Sequence, residues 1–444
     1  MAKASEIHRV KGLKNKRILE LDRKYVAPCY TRGHYTVFEK GKGVEGWDVE
    51  GNKYLDFAAG IGVVATGHCH PRVVKAITDQ ARKLIHMSGT DFFYEVQAKL
   101  AEKLAEIAPG GKNKKVFFGN SGAEAVEACL KLAKYHTRRH RLIAFHGAFH
   151  GRTMGALSLT ASKAIQRSRF GPLLPGVRHV SYGYCYRCAF NLTHPTCNFA
   201  CVRYIEDEVF RTSVPAEDVA AIVMEPVQGE GGYVFPPDGY HQRLKALADK
   251  YDILIIDDEV QAGMGRTGKM FAIEHWGVKP DIVAVAKGIA SGMPLGACIA
   301  RSSLMDWVPG SHASTFGGNP ISCSAALATI ELLEGGLVDN AAKQGKYMLK
   351  KLQEMMARHR LFGDVRGKGL MIGVEIVKDR DTKEYAKLAR DTIIQEAFKR
   401  GLVMLGCGPS SLRFMPPLVV TRREIDDALT IFDEAVSAVE KRKV

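Results

Sequence analysis

The sequence predicts an α/β fold: a large domain on a mostly parallel sheet flanked by helices, and a smaller α/β domain built from the N- and C-terminal segments. Three observations predict it. From about residue 95, short apolar runs alternate with amphipathic stretches, the mark of strand–helix–strand units. Runs such as Ala220–Met224 and Ile282–Ala286 are apolar throughout, as strands covered on both faces must be. A chain of 444 residues also exceeds what one small core organises.

The elements follow in order. Residues 1–45 are polar and mixed, and read as an arm or first helix. Residues 46–57 read as a hairpin, with Glu50-Gly51-Asn52 at its turn. Glu95–Ile107 is amphipathic, Lys115–Phe118 a short strand, Ala123–Tyr135 helical and Leu142–Phe145 a strand. Ala220–Met224 and Ile253–Ile256 are strands separated by the helix Tyr240–Lys250. Ile282–Ala286 and Gly296–Ala300 follow as strands. Asn319-Pro320 opens a helix to Glu334. Val338–Arg358 is a long helix, and Val365–Val444 reads strand, helix, strand, helix. The expected division is 1–65 (arm and part of the small domain), 66–335 (large domain) and 336–444 (small domain).

Composition excludes some functions. The net charge is +15, but basic residues are spread out, with short clusters at Lys11–Arg17 and Arg138–Arg141 and no interleaved aromatics. Nucleic acid is therefore not an expected partner. No run of about 18 apolar residues suggests a membrane span. Nor do the first residues carry a signal-peptide pattern, so a cytoplasmic location is expected. Four of the ten cysteines form Cys185-x-x-Cys188 and Cys197-x-x-x-Cys201 within a loop, 181–201, that lacks periodicity. This is metal-ligand spacing, for a structural zinc or iron; local disulfides or reduced thiols are the alternatives.

Four segments carry chemistry. Lys287 ends the apolar run Ile282–Ala286. An amine desolvated there loses its proton more easily and becomes a nucleophile; a snorkelling side chain is the bland alternative. At Phe118-Gly119-Asn120-Ser121-Gly122-Ala123, a strand turns into a helix. Its first amides and the Ser121 hydroxyl suit a phosphate, or else Asn120 or Ser121 is a plain N-cap. Phe149, before His150-Gly151, can stack on a flat ring or belong to the core. Asp257-Asp258-Glu259 ends another buried strand, at the sheet edge where ligands bind. A carboxylate there can keep a heteroaromatic nitrogen protonated; metal binding or helix capping are the alternatives. Amine, phosphate cradle, stacking ring and carboxylate together are what pyridoxal 5′-phosphate requires.

From Trp47 to the C-terminus the chain resembles the class III aminotransferases of fold type I, the 4-aminobutyrate, ornithine and acetylornithine group. The resemblance is carried by Asp258-Glu259-Val260-Gln261-Ala262-Gly263-Met264-Gly265-Arg266-Thr267-Gly268, Lys287-Gly288 and Thr315-Phe316-Gly317-Gly318-Asn319-Pro320. Glu225-Pro226-Val227-Gln228-Gly229-Glu230 and Gly67-His68-Cys69-His70-Pro71 also match. It implies a Lys287 Schiff base, Asp258 on the pyridine nitrogen and Gln261 on the ring hydroxyl. Phe149 and Val260 would cover the ring faces, and Ser121, Gly122 and Ala123 would hold the phosphate. His150 and Glu225 join the cofactor set. Thr315 would reach the phosphate of a neighbouring subunit, which implies a homodimer or higher homo-oligomer. Arg413 would bind the α-carboxylate, with Glu230 pairing it when an ω-amine enters, and Arg152 would grip a far carboxylate. Ile61 stands where ornithine-specific relatives carry a tyrosine, so the segment resembles the 4-aminobutyrate type. The expected reaction moves an amino group from an ω-amino acid to 2-oxoglutarate. Amino-acid racemisation or epimerisation, known within the same family, is the alternative reading, and a metal-bearing nucleic-acid binder a third.

Overall fold

A computed structural model describes residues 12–442. The start of the expected arm, the leader reading and Lys11 of the first basic cluster lie outside the described residues. Seven strands form the central sheet. Their order is Lys114–Gly119, Gly296–Arg301, Ile282–Val285, Leu254–Asp258, Val219–Met224, Arg141–Phe145 and Val177–Val180. Gly296–Arg301 runs antiparallel to both neighbours, and the remaining pairs are parallel. Every residue of Val219–Met224, Leu254–Asp258 and Ile282–Val285 is buried. That is why these runs carry no polar alternation.

The sheet direction positions the chemistry. Gly119, Phe145, Met224, Asp258 and Val285 end strands that point the same way. The residues that follow them, including Ser121, Phe149, Glu225 and Lys287, therefore gather along one edge.

Two smaller sheets complete the molecule. Phe38–Lys42, Glu45–Asp48 and Lys53–Asp56 form a meander that Leu402–Val403 joins in parallel, tying N-terminal to C-terminal sequence. Phe362–Lys368, Met371–Ile376, Ser411–Phe414 and Leu405–Cys407 form an antiparallel sheet. The tail is thus richer in strands than expected, because hairpins this short give little periodicity. The helices Glu95–Ile107 and Tyr240–Lys250 stand where the amphipathic pattern put them. Pro320–Leu332, capped by the Asn319 side chain, ends in the π turn Leu333–Leu337, close to the expected boundary at Glu334. Gly336, at φ 125°, is non-helical and kinks the chain, and Val338–Met356 follows as the second helix of the stretch Pro320–Met356. By length and composition alone this stretch could cross a membrane; here it packs on the helices Pro71–Lys83 and Glu95–Ile107.

The long helix meets the C-terminal hairpin at Gly345. A Cβ there would lie 2.0 Å from the Gly369 carbonyl oxygen. Replacing Gly345 by Ala improves helix propensity by about 1 kcal/mol, but the backbone in its way cannot yield as a side chain does. Gly345→Ala is expected to destabilise by about 1–3 kcal/mol, read as a lowered Tm in thermal unfolding.

Candidate active site

Lys287 leaves its strand at φ 44° and starts the 3-10 turn Lys287–Ala290. A left-handed conformation at a non-glycine residue is strained, of order 1–3 kcal/mol, and such strain collects at functional sites. Burial lowers the pKa of its amine. Asp258, Glu225 and Glu230 oppose the shift, while Arg413 adds to it. Four charged groups from distant parts of the chain therefore act on one amine.

Asp258 is held on both oxygens. Its Oδ2 lies 2.7 Å from His150 Nδ1, and its Oδ1 accepts from the Val260 amide at 3.0 Å. Burial works against a charged His150, but the bond to Asp258 and its charge leave the imidazole pKa raised. An imidazolium there stabilises the carboxylate, which in turn can keep a facing ring nitrogen protonated. The other two acids of the run are buried as well. Burial pushes the Asp257 and Glu259 carboxyls up, Glu259 to about 8. Asp258 is the acid of the run whose bonds lead to the site.

Glu225 positions two loops. Its oxygens accept from the Phe149 amide at 2.9 Å and the Gly229 amide at 2.8 Å. Burial raises its pKa to about 7. The expected phosphate cradle is built by close approach. Ser121 caps the helix Gly122–Thr137, accepting from the Glu124 amide at 3.2 Å. The N-cap reading is therefore correct, and it leaves the first-turn amides of Gly122 and Ala123 ahead of the first helical bond. A Cβ on Gly122 would lie 2.8 Å from Val260 Cγ1, and one on Gly296 2.2 Å from the Ser121 oxygen. Gln261 presses on Gly229, where a Cβ would lie 2.5 Å from its amide nitrogen, and its Oε1 is buried with no partner. These residues fit pyridoxal 5′-phosphate: a helix N-terminus for the phosphate, an orphan acceptor for a ring hydroxyl, a held carboxylate and a desolvated amine.

The substrate side is built on the C-terminal sheet. Arg413 is 5% exposed on the strand Ser411–Phe414. Its Nη1 lies 3.3 Å from Glu230 Oε2. That contact lacks hydrogen-bond geometry, and Nε and Nη1 have no hydrogen-bond partner. Ile61 sits in a left-handed turn, Ala59–Gly62, with positive φ at all four residues. The turn's Gly62 approaches Met415 and Gln261. Arg152 lies exposed, 5.5 Å from the Phe149 ring centroid. Thr315 is also exposed, next to Ser314, whose hydroxyl accepts from Asn120 at 3.1 Å.

Cys185, Cys188, Cys197 and Cys201 do not form the expected metal site. All four are free, and among the described residues no group of three or more His, Cys, Asp or Glu could hold a metal ion. The loop is fixed by other bonds. Tyr184 donates to Glu375 at 3.1 Å, and Arg187 pairs with the same carboxylate at 3.1 Å. Glu375 also holds Arg366 at 2.9 Å, and Arg366 donates to the carbonyls of Gly232 and Tyr233. The cysteine-rich loop thus braces the segment that carries Glu230. Sequence reasoning missed this relay and the ion pair from Lys163 to Glu230. One signal was available: Glu375 is a lone carboxylate in the apolar strand Met371–Ile376, and all six of its residues are buried.

A family model described as aminotransferase class-III matches residues 26–436. The chain is 42% identical to a leucine/methionine racemase of Thermococcus litoralis over 91% of each chain. It is 39% identical to an acetylornithine aminotransferase of Caldanaerobacter subterraneus, over 95% of this chain and all of the other. The crystal structure of a Bacillus anthracis aminotransferase superposes with a TM-score of 0.89 at 30% identity, over 97% of this chain and 100% of that one.

The Glu259 carboxyl sets a pH dependence. Its folded pKa, about 8, lies above the ordinary 4.5. The stability it contributes is complete below the ordinary value and is lost as pH rises through about 8. Glu259→Gln mimics the neutral acid, so its Tm-versus-pH profile over that window is expected to be shallower than that of the parent.

Proposed function

The chain belongs to the class III aminotransferases, and on that premise we propose that it moves an amino group from an ω-amino acid such as 4-aminobutyrate to 2-oxoglutarate. Pyridoxal 5′-phosphate is the cofactor of this family; when bound, it supplies an electron sink for the pair released as a substrate C–H bond breaks. Lys287 would carry it and take the proton from the carbon bearing the substrate amine, a task suited to an amine whose basicity burial lowers. Asp258, backed by His150, would hold the ring nitrogen protonated. Ser121, Gly122 and Ala123 would hold the phosphate, Gln261 the ring hydroxyl, and Phe149 and Val260 the two ring faces. Glu225 would set Phe149 and the Gly229 loop in place.

The observation that carries the substrate reading is the loose Glu230–Arg413 pair at 3.3 Å. With Glu230 against it, Arg413 presents a neutralised wall to an ω-amine. With Glu230 withdrawn, it offers a fork for the α-carboxylate of glutamate or 2-oxoglutarate. Arg152, over Phe149, would take the far carboxylate, and apolar Ile61 gives no hydrogen bond that demands an ornithine-like amine. Exposed Thr315, with Phe316 next to it in sequence also exposed and a further bare aromatic at Phe93, supports a homodimer in which Thr315 serves the partner's phosphate. Ten unpaired cysteines support a cytoplasmic location.

One observation favours a second reading, racemase or epimerase. Arg413 Nε and Nη1 are buried without hydrogen-bond partners, ready for an α-carboxylate, and the likeness to a leucine/methionine racemase agrees. Purified enzyme given 4-aminobutyrate and 2-oxoglutarate should form glutamate. No glutamate, with D-isomer appearing from a single L-amino acid and no added keto acid, selects the second reading. Under either, Arg413→Ala is expected to lower kcat/KM for α-carboxylate substrates by about two to three orders of magnitude.

A further inference from the structure

We propose that Lys163 is a specificity-determining residue: it holds Glu230 in a second position and so keeps Arg413 open for an α-carboxylate. The proposal rests on the reading of Arg413 as the carboxylate site.

Three charges stand in a row. Lys163 Nζ donates to Glu230 Oε1 at 2.5 Å, while Glu230 Oε2 stays 3.3 Å from Arg413 Nη1 without a hydrogen bond. The carboxylate is therefore committed to the lysine and only leans on the arginine. The three groups differ in freedom. Arg413 is buried in a strand paired with Gly373 and Leu405. The Glu230 backbone is pinned by the Gly408 amide, which donates to its carbonyl at 2.7 Å. At Gly231 the loop lies against the Gly147 carbonyl, 2.5 Å from where a Cβ would stand. Lys163, in contrast, lies beyond the short helix Met154–Leu159 with its side chain 41% exposed. Only the Glu230 side chain and the lysine arm can move.

That asymmetry gives Lys163 its role. A glutamate that leaves Arg413 with nowhere to go takes an uncompensated charge into a half-buried site, which is costly. With Lys163 beside it, the released carboxylate keeps a hydrogen-bonded counter-charge. The alternative is a surface ion pair without functional weight, as many are. The two differ in a selective effect on end groups.

The test is Lys163→Met, which keeps the aliphatic stem, with Lys163→Arg as the charge-restoring variant. Holoenzyme affinity is measured calorimetrically for two probes. 2-Methylalanine carries an α-carboxylate and no Cα hydrogen; tert-butylamine carries a methyl group in place of that carboxylate and likewise no hydrogen on the carbon bearing the amine. Neither can give up a proton there or report transamination against racemisation, so the outcome does not hinge on which reaction the enzyme performs. Lys163→Met is expected to weaken 2-methylalanine about tenfold, near 1.4 kcal/mol, while tert-butylamine is unchanged or tighter; Lys163→Arg restores the parent affinity. Equal affinities in parent and Lys163→Met overturn the proposal, and so does an equal loss for both probes. Arg413→Lys separates the underlying reading: if it leaves 2-methylalanine unaffected, the carboxylate binds elsewhere and the site assignment falls together with the role of Lys163.

Discussion

The constraint on which the molecule depends is the burial of charge at one edge of an apolar sheet. Three central strands, Val219–Met224, Leu254–Asp258 and Ile282–Val285, are buried throughout. Lys287, Asp258 and Glu225 stand at or just past their ends. Each ionised group there must be compensated, and the compensation is specific. Asp258 has His150 and a backbone amide. Glu225 has two amides and still has its pKa raised. Lys287 has no such hydrogen-bonded anchor in the structure, and burial lowers its pKa. Of the three, Lys287 is the one left least compensated.

Much of this was legible from the sequence because it is local. A lysine after four or five apolar residues, or an acid after a similar run, can be read without knowing any partner. The helices Glu95–Ile107 and Tyr240–Lys250 were legible for the same reason: their period lies within one segment. The cap at Ser121 was legible too, since its hydroxyl reaches an amide three residues on.

What was not legible depends on pairing across long separations. Arg187, Arg366 and Glu375 are ordinary polar residues until three elements bring them together. The four cysteines show the reverse error. Their spacing fits a metal, yet the loop spends its polar groups on Glu375 and its thiols remain free. Spacing fixes which side chains can meet along a loop; it does not say what the loop docks against. The Glu334 boundary, by contrast, is local: Gly336 takes φ 125° and kinks the chain just after it.

The two halves of the candidate site are built on different supports, and this bears on how relatives of one scaffold carry different names. The cofactor side stands on the rigid central sheet, where Gly122, Gly229 and Gly296 leave no space for even one added carbon. The substrate side is a relay of ion pairs. Arg413 belongs to a separate antiparallel sheet, Glu230 to a braced loop, and Lys163 to the solvent margin. A change on the second side alters which end of a substrate is held without disturbing the first. Transamination and racemisation both begin with removal of a proton at the carbon bearing the amine, so both need the first side unchanged. Likeness to a racemase and to an aminotransferase at similar identity is then the expected consequence of this architecture.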